Sequence, residues 1–521
     1  MGEFAAVVNG NAESIYPESR VLIIITGGTI CMQPSGVGLV PVDGFLDHAM
    51  APRPSFNDMT ERVPISAVKD GVKVTIDSLR TPPSSYSRHI RYGAIEFSPL
   101  LDSSSISSSG WTQIAETIKA NYHLFDGFVV LHGTDSLSYS ASALSFMMQE
   151  LGKPVILTGS QASIFALQSD AVDNLLGSLI IAGTFVIPEV CLFFHHTLFR
   201  GNRTTKVSAS SFEAFASPNC EPLAKVTSLG VDVNWTLVRR PTKIAQFQIA
   251  KYLDTAHVAC VRIFPGIKPE MVDSVLRVPG LKGLILETFG MGNAPAGVDG
   301  SLTKVIAAAV DRGAVIVNVS QCANGFVSPL YAPGFALGEA GVVFGHDLTS
   351  EAALTKLSYL LAALPDLPST EIAARMGRSL RGELTELATP SFRHPTGDPE
   401  ELMLGSGQLT PAESSFTTLG WAIASGNLQA VLDLLESDKE TPGLLLRTDY
   451  MGNTAVHLAA VGKEVGVLEK LLERGASVHM RNRANNTPLF LAQKTGNTEC
   501  VRLLEKAGAV LWEGERTGTA T

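Results

Sequence analysis

The first residues in this chain whose types and spacing suggest chemistry are hydroxyl groups that end apolar runs. Residues 21–25 are all aliphatic and stop at Thr26, Gly27, Gly28 and Thr29; residues 128–131 stop at His132, Gly133, Thr134, Asp135 and Ser136; residues 155–157 stop at Thr158, Gly159, Ser160 and Gln161. A hydroxyl is a poor nucleophile near neutrality unless a neighbouring base takes its proton. Asp135 follows Thr134 directly, and the segment RGNRTTK places Lys206 after two further hydroxyl residues. Thr134, Lys206 and Asp135 together would make a proton relay, in which the carboxylate fixes the amine and the amine activates the hydroxyl. A lysine–aspartate pair is equally an ordinary salt bridge, and TGGT an ordinary tight turn. Backbone amides of glycine-rich turns at helix N-termini would suit a carboxylate or an oxyanion.

Such groups converge only if the elements behind them are aligned. Short, wholly aliphatic runs read as strands buried on both faces of a parallel sheet. Ligands of open parallel sheets sit beyond the carboxyl ends of the strands, so Thr26, Thr29, Thr134, Asp135 and Ser136 are expected to face one site. Strand-like and helix-like runs alternate from about residue 20 to 226, and a second series begins near residue 256 and includes a helical stretch over 351–363. The pattern predicts two α/β domains. Between residues 385 and 415 periodicity fades among prolines, as in a linker. Beyond it Thr454 and Thr487, Leu471 and Leu504, and Gly475 and Gly508 each recur after 33 residues, the ankyrin period. A degenerate copy precedes these two, and His457 reads as a turn-stabilising hydrogen-bonder.

With 521 residues, 45% of them hydrophobic, the chain can bury several cores. A formal charge of −10 argues against nucleic acid or an anionic membrane as partner and favours a small polar substrate. Six scattered cysteines without a CxxC pair suggest reduced thiols. The N-terminal residues lack a signal-peptide pattern, and no transmembrane segment is expected, so the sequence reads as cytosolic. His195 and His196 make a poor metal site if they are neighbours on one strand, and no metal or cofactor is expected. HExxH, Walker, GxGxxG and GxSxG motifs are absent.

TGGTI, DSS (Asp102, Ser103, Ser104), HGTDS, TGSQ, RGNRTTK, GMGNAP and VSQC resemble, in order, the blocks of type I, cytosolic-type L-asparaginases. With the ankyrin repeats, the whole resembles the animal asparaginases also described as lysophospholipases. The resemblance implies a larger N-terminal and a smaller C-terminal α/β domain, assembled as homodimers or homotetramers. It implies that Thr29 is the nucleophile and that Thr134, Asp135 and Lys206 form a second triad. Asp135 would also hold the substrate ammonium, while Asp102, Ser103 and Ser104 lie in the block that receives the α-carboxylate. Asn293 would reach towards a neighbouring subunit's site. The implied activity is asparagine amidohydrolysis through a threonine acyl-enzyme; the alternatives are a lysophospholipase-type ester hydrolase or an ankyrin-bearing scaffold with weak catalysis.

Two departures stand out. Leu39 occupies the mobile loop after the nucleophile, where bacterial relatives carry tyrosine. Thr205 and Cys322 lie in blocks matching an allosteric amino-acid site of some bacterial relatives, but Glu287 stands where an arginine would bind the effector's carboxylate and would repel it. The expected boundaries are an N-terminal segment 1–19, α/β domains 20–240 and 241–386, a linker 387–415, about three ankyrin repeats 416–514 that offer a face to a protein partner, and a tail 515–521.

Overall fold

The computed structural model describes residues 16–36, 38–100, 103–240, 245–250, 257–329, 332–385, 411–437, 444–449, 451–462, 464–512 and 515. Asp102, most of the expected linker and most of both expected terminal segments lie outside the described residues. The described residues fall into two units, one up to residue 385 and one from residue 411.

The first unit is built on a nine-stranded sheet. Its strands are β1 (Glu18–Ile25), β2 (Ser78–Arg80), β3 (His89–Glu96), β4 (Gly127–Leu131), β5 (Val155–Thr158), β6 (Val190–Phe194), β7 (Thr197–Arg200), β8 (Ala224–Thr227) and β9 (Gly230–Val233), in spatial order β9-β8-β7-β6-β5-β4-β1-β3-β2. The central strands β3, β1, β4, β5 and β6 run parallel, and antiparallel strands extend both edges. Every residue of β4, β5 and β6 is buried, which explains why they read as continuous apolar runs rather than alternating ones.

Helices α1 (Ser108–Asn121) and α2 (Leu137–Met147) contribute to one large core, and α3 (Ala171–Thr184) to the other. A smaller parallel sheet follows: β10 (Val258–Arg262), β11 (Gly283–Thr288), β12 (Val315–Ser320) and β13 (Val343–Phe344). Helices α4 (Pro269–Leu276), α5 (Ser301–Asp311), α6 (Ala332–Glu339), α7 (Ser350–Ala363) and α8 (Ser369–Met376) accompany it. The two lobes share a core: α2 is buried along almost its whole length and packs on α7, with Ser142 Oγ 2.8 Å from Thr355 Oγ1. A helix covered on all sides has no polar face, and the Ser140, Ser142 and Ser145 hydroxyls of α2 bond internally, while Ser138 Oγ is buried without a partner among the described residues.

The segment leading out of this unit is tied down from within. Thr385 N donates to Asp347 Oδ1 at 2.8 Å and Thr385 Oγ1 to Asp347 Oδ2 at 2.6 Å. Arg203, from the turn before Lys206, reaches Asp347 Oδ2 at 2.8 Å, the Gly382 carbonyl at 2.8 Å and Thr385 Oγ1 at 3.1 Å. Nearby, Lys356 of α7 and Glu383 form an ion pair of 2.6 Å with both side chains wholly buried.

The second unit contains three helix pairs: α9 (Pro411–Ala424) with α10 (Leu428–Ser437), α11 (Ala455–Val461) with α12 (Val465–Glu473), and α13 (Pro488–Lys494) with α14 (Thr498–Lys506). Gly475 and Gly508 follow α12 and α14 at φ 82° and 87°, a left-handed conformation that makes this recurring residue a glycine. His457 is buried and caps its helix reciprocally with Thr454, and its Nε2 donates to the Asn486 carbonyl at 3.1 Å. Burial holds its pKa below the ordinary histidine value, consistent with a neutral ring that accepts on one side and donates on the other. The next copy carries Phe490 at that position, and Glu515 takes over by accepting the Thr487 N–H at 2.5 Å. The sequence boundary assigned Glu515 to a tail; it is 5% exposed and belongs to the packed repeat.

Candidate active site

Register brings the sequence's hydroxyl turns together. Ile25 at the end of β1 pairs with Leu131 at the end of β4, and Leu131 pairs with Thr158 at the end of β5, so three turns leave the sheet side by side. They are also bonded: Thr26 Oγ1 donates to the Leu131 carbonyl at 2.8 Å, and His132 N donates to the Thr158 carbonyl at 2.9 Å.

The first two turns touch backbone to backbone. Gly28 has φ 93°, and a Cβ placed on it would lie 2.5 Å from Gly133 N and 2.6 Å from Gly133 Cα. Only glycine permits that approach, which sets the Thr29 turn against the Thr134 turn. A Cβ on Gly133 would in turn meet Ser103 Oγ at 2.4 Å, so the serine loop closes the third side. Ser136 Oγ donates to the Ser103 carbonyl. Ser103 is buried and Ser104 exposed, both in a short 3-10 turn that precedes the start of α1 at Ser108.

Lys206 comes back to these turns by an antiparallel return, β7, rather than directly from the end of β6. Its Nζ lies 3.0 Å from Thr134 Oγ1 and 2.9 Å from Asp135 Oδ1. Thr134 is buried, whereas the Asp135 side chain is 70% exposed and faces outward, able to meet a cation. The grouping can pass a proton between the threonine hydroxyl and the amine, while the carboxylate holds the amine in place.

Three further residues organise the site without having stood out in the sequence. Gln161 Oε1 accepts from Thr134 Oγ1 at 3.3 Å, and its Nε2 donates to the Ser211 carbonyl at 3.2 Å. Asp170, itself buried, receives the N–H groups of Gln161 and Ala162 at 3.1 Å and so shapes the turn after β5. His132 is 1% exposed, and burial lowers its pKa to about 4 against a smaller opposing effect from the Gly133 carbonyl. It therefore stays neutral at physiological pH, with Nδ1 2.7 Å from that carbonyl and Nε2 2.9 Å from Ser140 Oγ on α2. Trp111 Nε1 of α1 donates to the same Ser140 Oγ at 2.8 Å. The positions of His132 inside HGTDS and Gln161 inside TGSQ were the available signals; Asp170, further along the chain, offered none.

The histidine pair needs a correction. His195 and His196 are not successive strand residues but the two left-handed residues, φ 46° and 61°, of the hairpin turn joining β6 to β7, in which Phe194 pairs with Thr197.

Residues 20–239 match the sequence family described as Asparaginase, N-terminal; residues 257–373 match the Glutaminase/Asparaginase C-terminal domain; and residues 419–514 match three copies of ankyrin repeats. L-asparaginase 1 of Escherichia coli K12 is 42% identical over 370 residues, which cover 71% of this chain and 98% of that one. The chain belongs to the asparaginase family. A mouse relative named 60 kDa lysophospholipase is 40% identical over 471 residues, 89% of this chain and 80% of its own. The crystal structure of L-asparaginase I from Vibrio cholerae superposes with a TM-score of 0.60 at 38% identity, covering 71% of this chain and all of that one.

Among asparaginase-family features, the loop after Thr29 is a hairpin of Met32–Ser35 and Gly38–Pro41 that leaves Leu39 half exposed. Asn293 lies in the turn after β11, bridged to Phe289. Glu287 is already engaged: its Oε1 accepts from Ser350 Oγ at 2.6 Å and Oε2 stands 3.7 Å from Arg262 Nη1.

Proposed function

We propose that this chain is an L-asparagine amidohydrolase that forms L-aspartate and ammonia through an acyl-enzyme on Thr29. The observation that carries the reading is the Lys206 amine bridging Thr134 and Asp135 while Gly28 seats the Thr29 turn against Gly133. The Thr29 hydroxyl attacks the side-chain amide carbon, and its proton goes to the departing nitrogen, which leaves as ammonia. Water then attacks the ester, its proton passing through Thr134 to Lys206. As the bond between the acyl carbon and the Thr29 oxygen breaks, that proton is returned to the Thr29 oxygen, so aspartate is released with the Thr29 hydroxyl and the Lys206 amine restored. Exposed Asp135 receives the substrate ammonium, and Ser103 with neighbouring groups receives its α-carboxylate, one counter-charge for each end of an amino acid. The testing experiment is ammonia release from L-asparagine by the purified full-length chain.

The name of the mouse relative gives the ester-hydrolase reading its footing. The groups gathered around Thr134 are polar: Ser103, Asp135, Ser136, Gln161 and Lys206. That chemistry suits an amino acid better than an acyl chain. Fatty acid released from a lysolipid, and abolished by Thr29→Ala, would reverse the choice.

The chain is further assigned to the cytoplasm, to a homodimer or homotetramer, and to a protein partner on the ankyrin face, with domain limits at 20–240, 241–386 and 416–514, the last widened to take in Glu515 and the helix that begins at Pro411. No helix among the described residues is long and apolar enough to cross a membrane. Because Glu287 sets a carboxylate where an effector's carboxylate would dock, asparagine saturation is expected to be hyperbolic; a sigmoidal curve would contradict this. A chain ending at residue 386 keeps Thr385 and its ties, and is expected to release ammonia within about twofold of the full-length rate. Joint loss of activity and oligomerisation on that truncation would make the repeats structural.

A further inference from the structure

The catalytic lysine stands on a slight support. Thr205–Lys206 is a strand of two residues, paired with Phe215–Ala216 and followed by bonds from Val207 N and Ser208 N to the Ala214 carbonyl at 2.8 and 3.3 Å. So short a ladder leaves the strand's rotation about its own axis weakly fixed. Successive side chains of a strand point to opposite faces. Lys206 points to Thr134 and Asp135, and Thr205 points the other way, to the smaller lobe, where its Oγ1 donates to Glu351 Oε1 at 2.8 Å. Glu351 is 8% exposed and lies in the first turn of α7, whose cap Thr349 accepts from Ala352 N at 3.1 Å.

We propose that Glu351 is a positioning residue for Lys206: by receiving the Thr205 hydroxyl it fixes the rotation of the strand and sets the reach of Nζ to Thr134. The inference rests on the amidohydrolase reading and adds to it a residue that touches neither substrate nor reacting atoms. Its surroundings make the bond hard to replace. Burial raises the Glu351 pKa and nearby Glu287 of β11 adds to this, while hydrogen bonds from its own N–H, Thr205 and Thr349 oppose the rise. Tyr139 of α2 is raised too, chiefly by its own burial and then by Glu351, Cys260 of β10 and Glu287. A carboxyl so enclosed has little water to fall back on, and losing its donor leaves a buried acceptor unsatisfied. The lysine's aim is therefore tied to a helix of the other lobe.

The test uses the full-length chain with E351A, E351Q, T205V and the double variant E351A/T205V. E351A and T205V are each expected to lower kcat for ammonia release by about tenfold or more while KM stays within about twofold, since a displaced catalytic group costs turnover rather than ground-state binding. E351Q retains an acceptor oxygen and is expected within about threefold of wild type. The double variant should lose no more than about twofold beyond the worse single one, because both remove the same bond. Singles near wild-type kcat, a loss confined to KM, E351Q as poor as E351A, or multiplying losses in the double would each overturn the proposal. Thermal melting screens for misfolding, and T205V stands in should E351A fail to fold. Crystal structures give a readout independent of turnover: the separation from Lys206 Nζ to Thr134 Oγ1, 3.0 Å in the unaltered chain, should exceed hydrogen-bond reach in E351A and T205V and return in E351Q. An unchanged separation in E351A refutes positioning. Were wild type to release no ammonia, the amidohydrolase reading would fall while the structures still decided the positioning claim.

Discussion

Thr29→Ala and Thr134→Ala are each expected to abolish ammonia release from L-asparagine, and Lys206→Met to lower turnover by about 10²- to 10⁴-fold. The two threonines fail for different reasons. Without the Thr29 hydroxyl no acyl-enzyme can form, so neither ammonia nor ester appears. Without the Thr134 hydroxyl the Lys206 amine keeps Asp135 but loses its route to the attacking group. Lys206→Met retains most of the side chain's bulk and removes only the amine. A loss smaller than about threefold in Lys206→Met would reduce the Lys206–Asp135 contact to a structural ion pair. That is the outcome to take seriously, because the pair is visible at 2.9 Å under either description. Silence from the wild-type enzyme even at high asparagine would instead direct attention to Leu39 and the altered loop, and would favour the scaffold or lysolipid readings.

Lys356→Met should destabilise the fold more than any of the substitutions at the active site, by about 3–5 kcal/mol. Lys356 Nζ lies 2.6 Å from Glu383 Oε1, and neither side chain touches solvent. Its amine also donates to the Met376 carbonyl at 3.0 Å and to that of Arg378. Glu383 in turn gathers the N–H groups of Leu380 and Arg381 at 2.8 and 2.6 Å. Removing the lysine strands a buried carboxylate, whereas Lys356→Met with Glu383→Leu removes both charges and should recover most of the loss. Calorimetric melting of the full-length chain checks both variants, and a single variant that melts like wild type refutes the argument. A dependence on acid accompanies it. Burial alone would raise the Glu383 pKa, but the Lys356 charge and the hydrogen bonds outweigh it and the net shift is downward. A carboxyl depressed in the folded state stabilises fully above its unfolded pKa, and that stabilisation drains away as pH falls through the folded value. The wild type should therefore lose stability on the acid side in a way the doubly apolar variant does not.

Much of the architecture was legible because the parallel strands β4, β5 and β6 at the middle of the large sheet are buried on both faces and so are written as unbroken apolar runs. The turns after β1, β4 and β5 were legible for the same reason, since a run that ends in threonine and glycine marks where the sheet stops. The ankyrin units declared themselves by a strict repeat, and even there Glu515 escaped notice, because nothing local in the sequence says that it replaces a missing histidine. The candidate grouping was legible where chemistry and spacing coincide, at Thr134, Asp135 and Lys206. It was not legible where the role is conferred by a distant partner. Asp170 is one acid among many until it receives the backbone of Gln161 and Ala162. His132 becomes an interior strut only through Ser140 and Trp111. The histidine turn misled because a run of apolar residues followed by two histidines looks like a longer strand, and only left-handed backbone at both positions turns it back.

The inward-tied exit of the first unit also bears on how such a chain can acquire passengers. Asp347 grips the backbone and hydroxyl of Thr385, and Arg203, from the turn that leads to Lys206, grips both Asp347 and that hydroxyl. A fusion joint, an affinity tag or a gene-level recombination point placed before Thr385 would cut into the props of the lysine's own turn. Placed after it, the same joint leaves these ties intact. The described bracing of the first unit thus reaches as far as Thr385, and that residue marks the earliest point at which a joint would spare the lysine's turn.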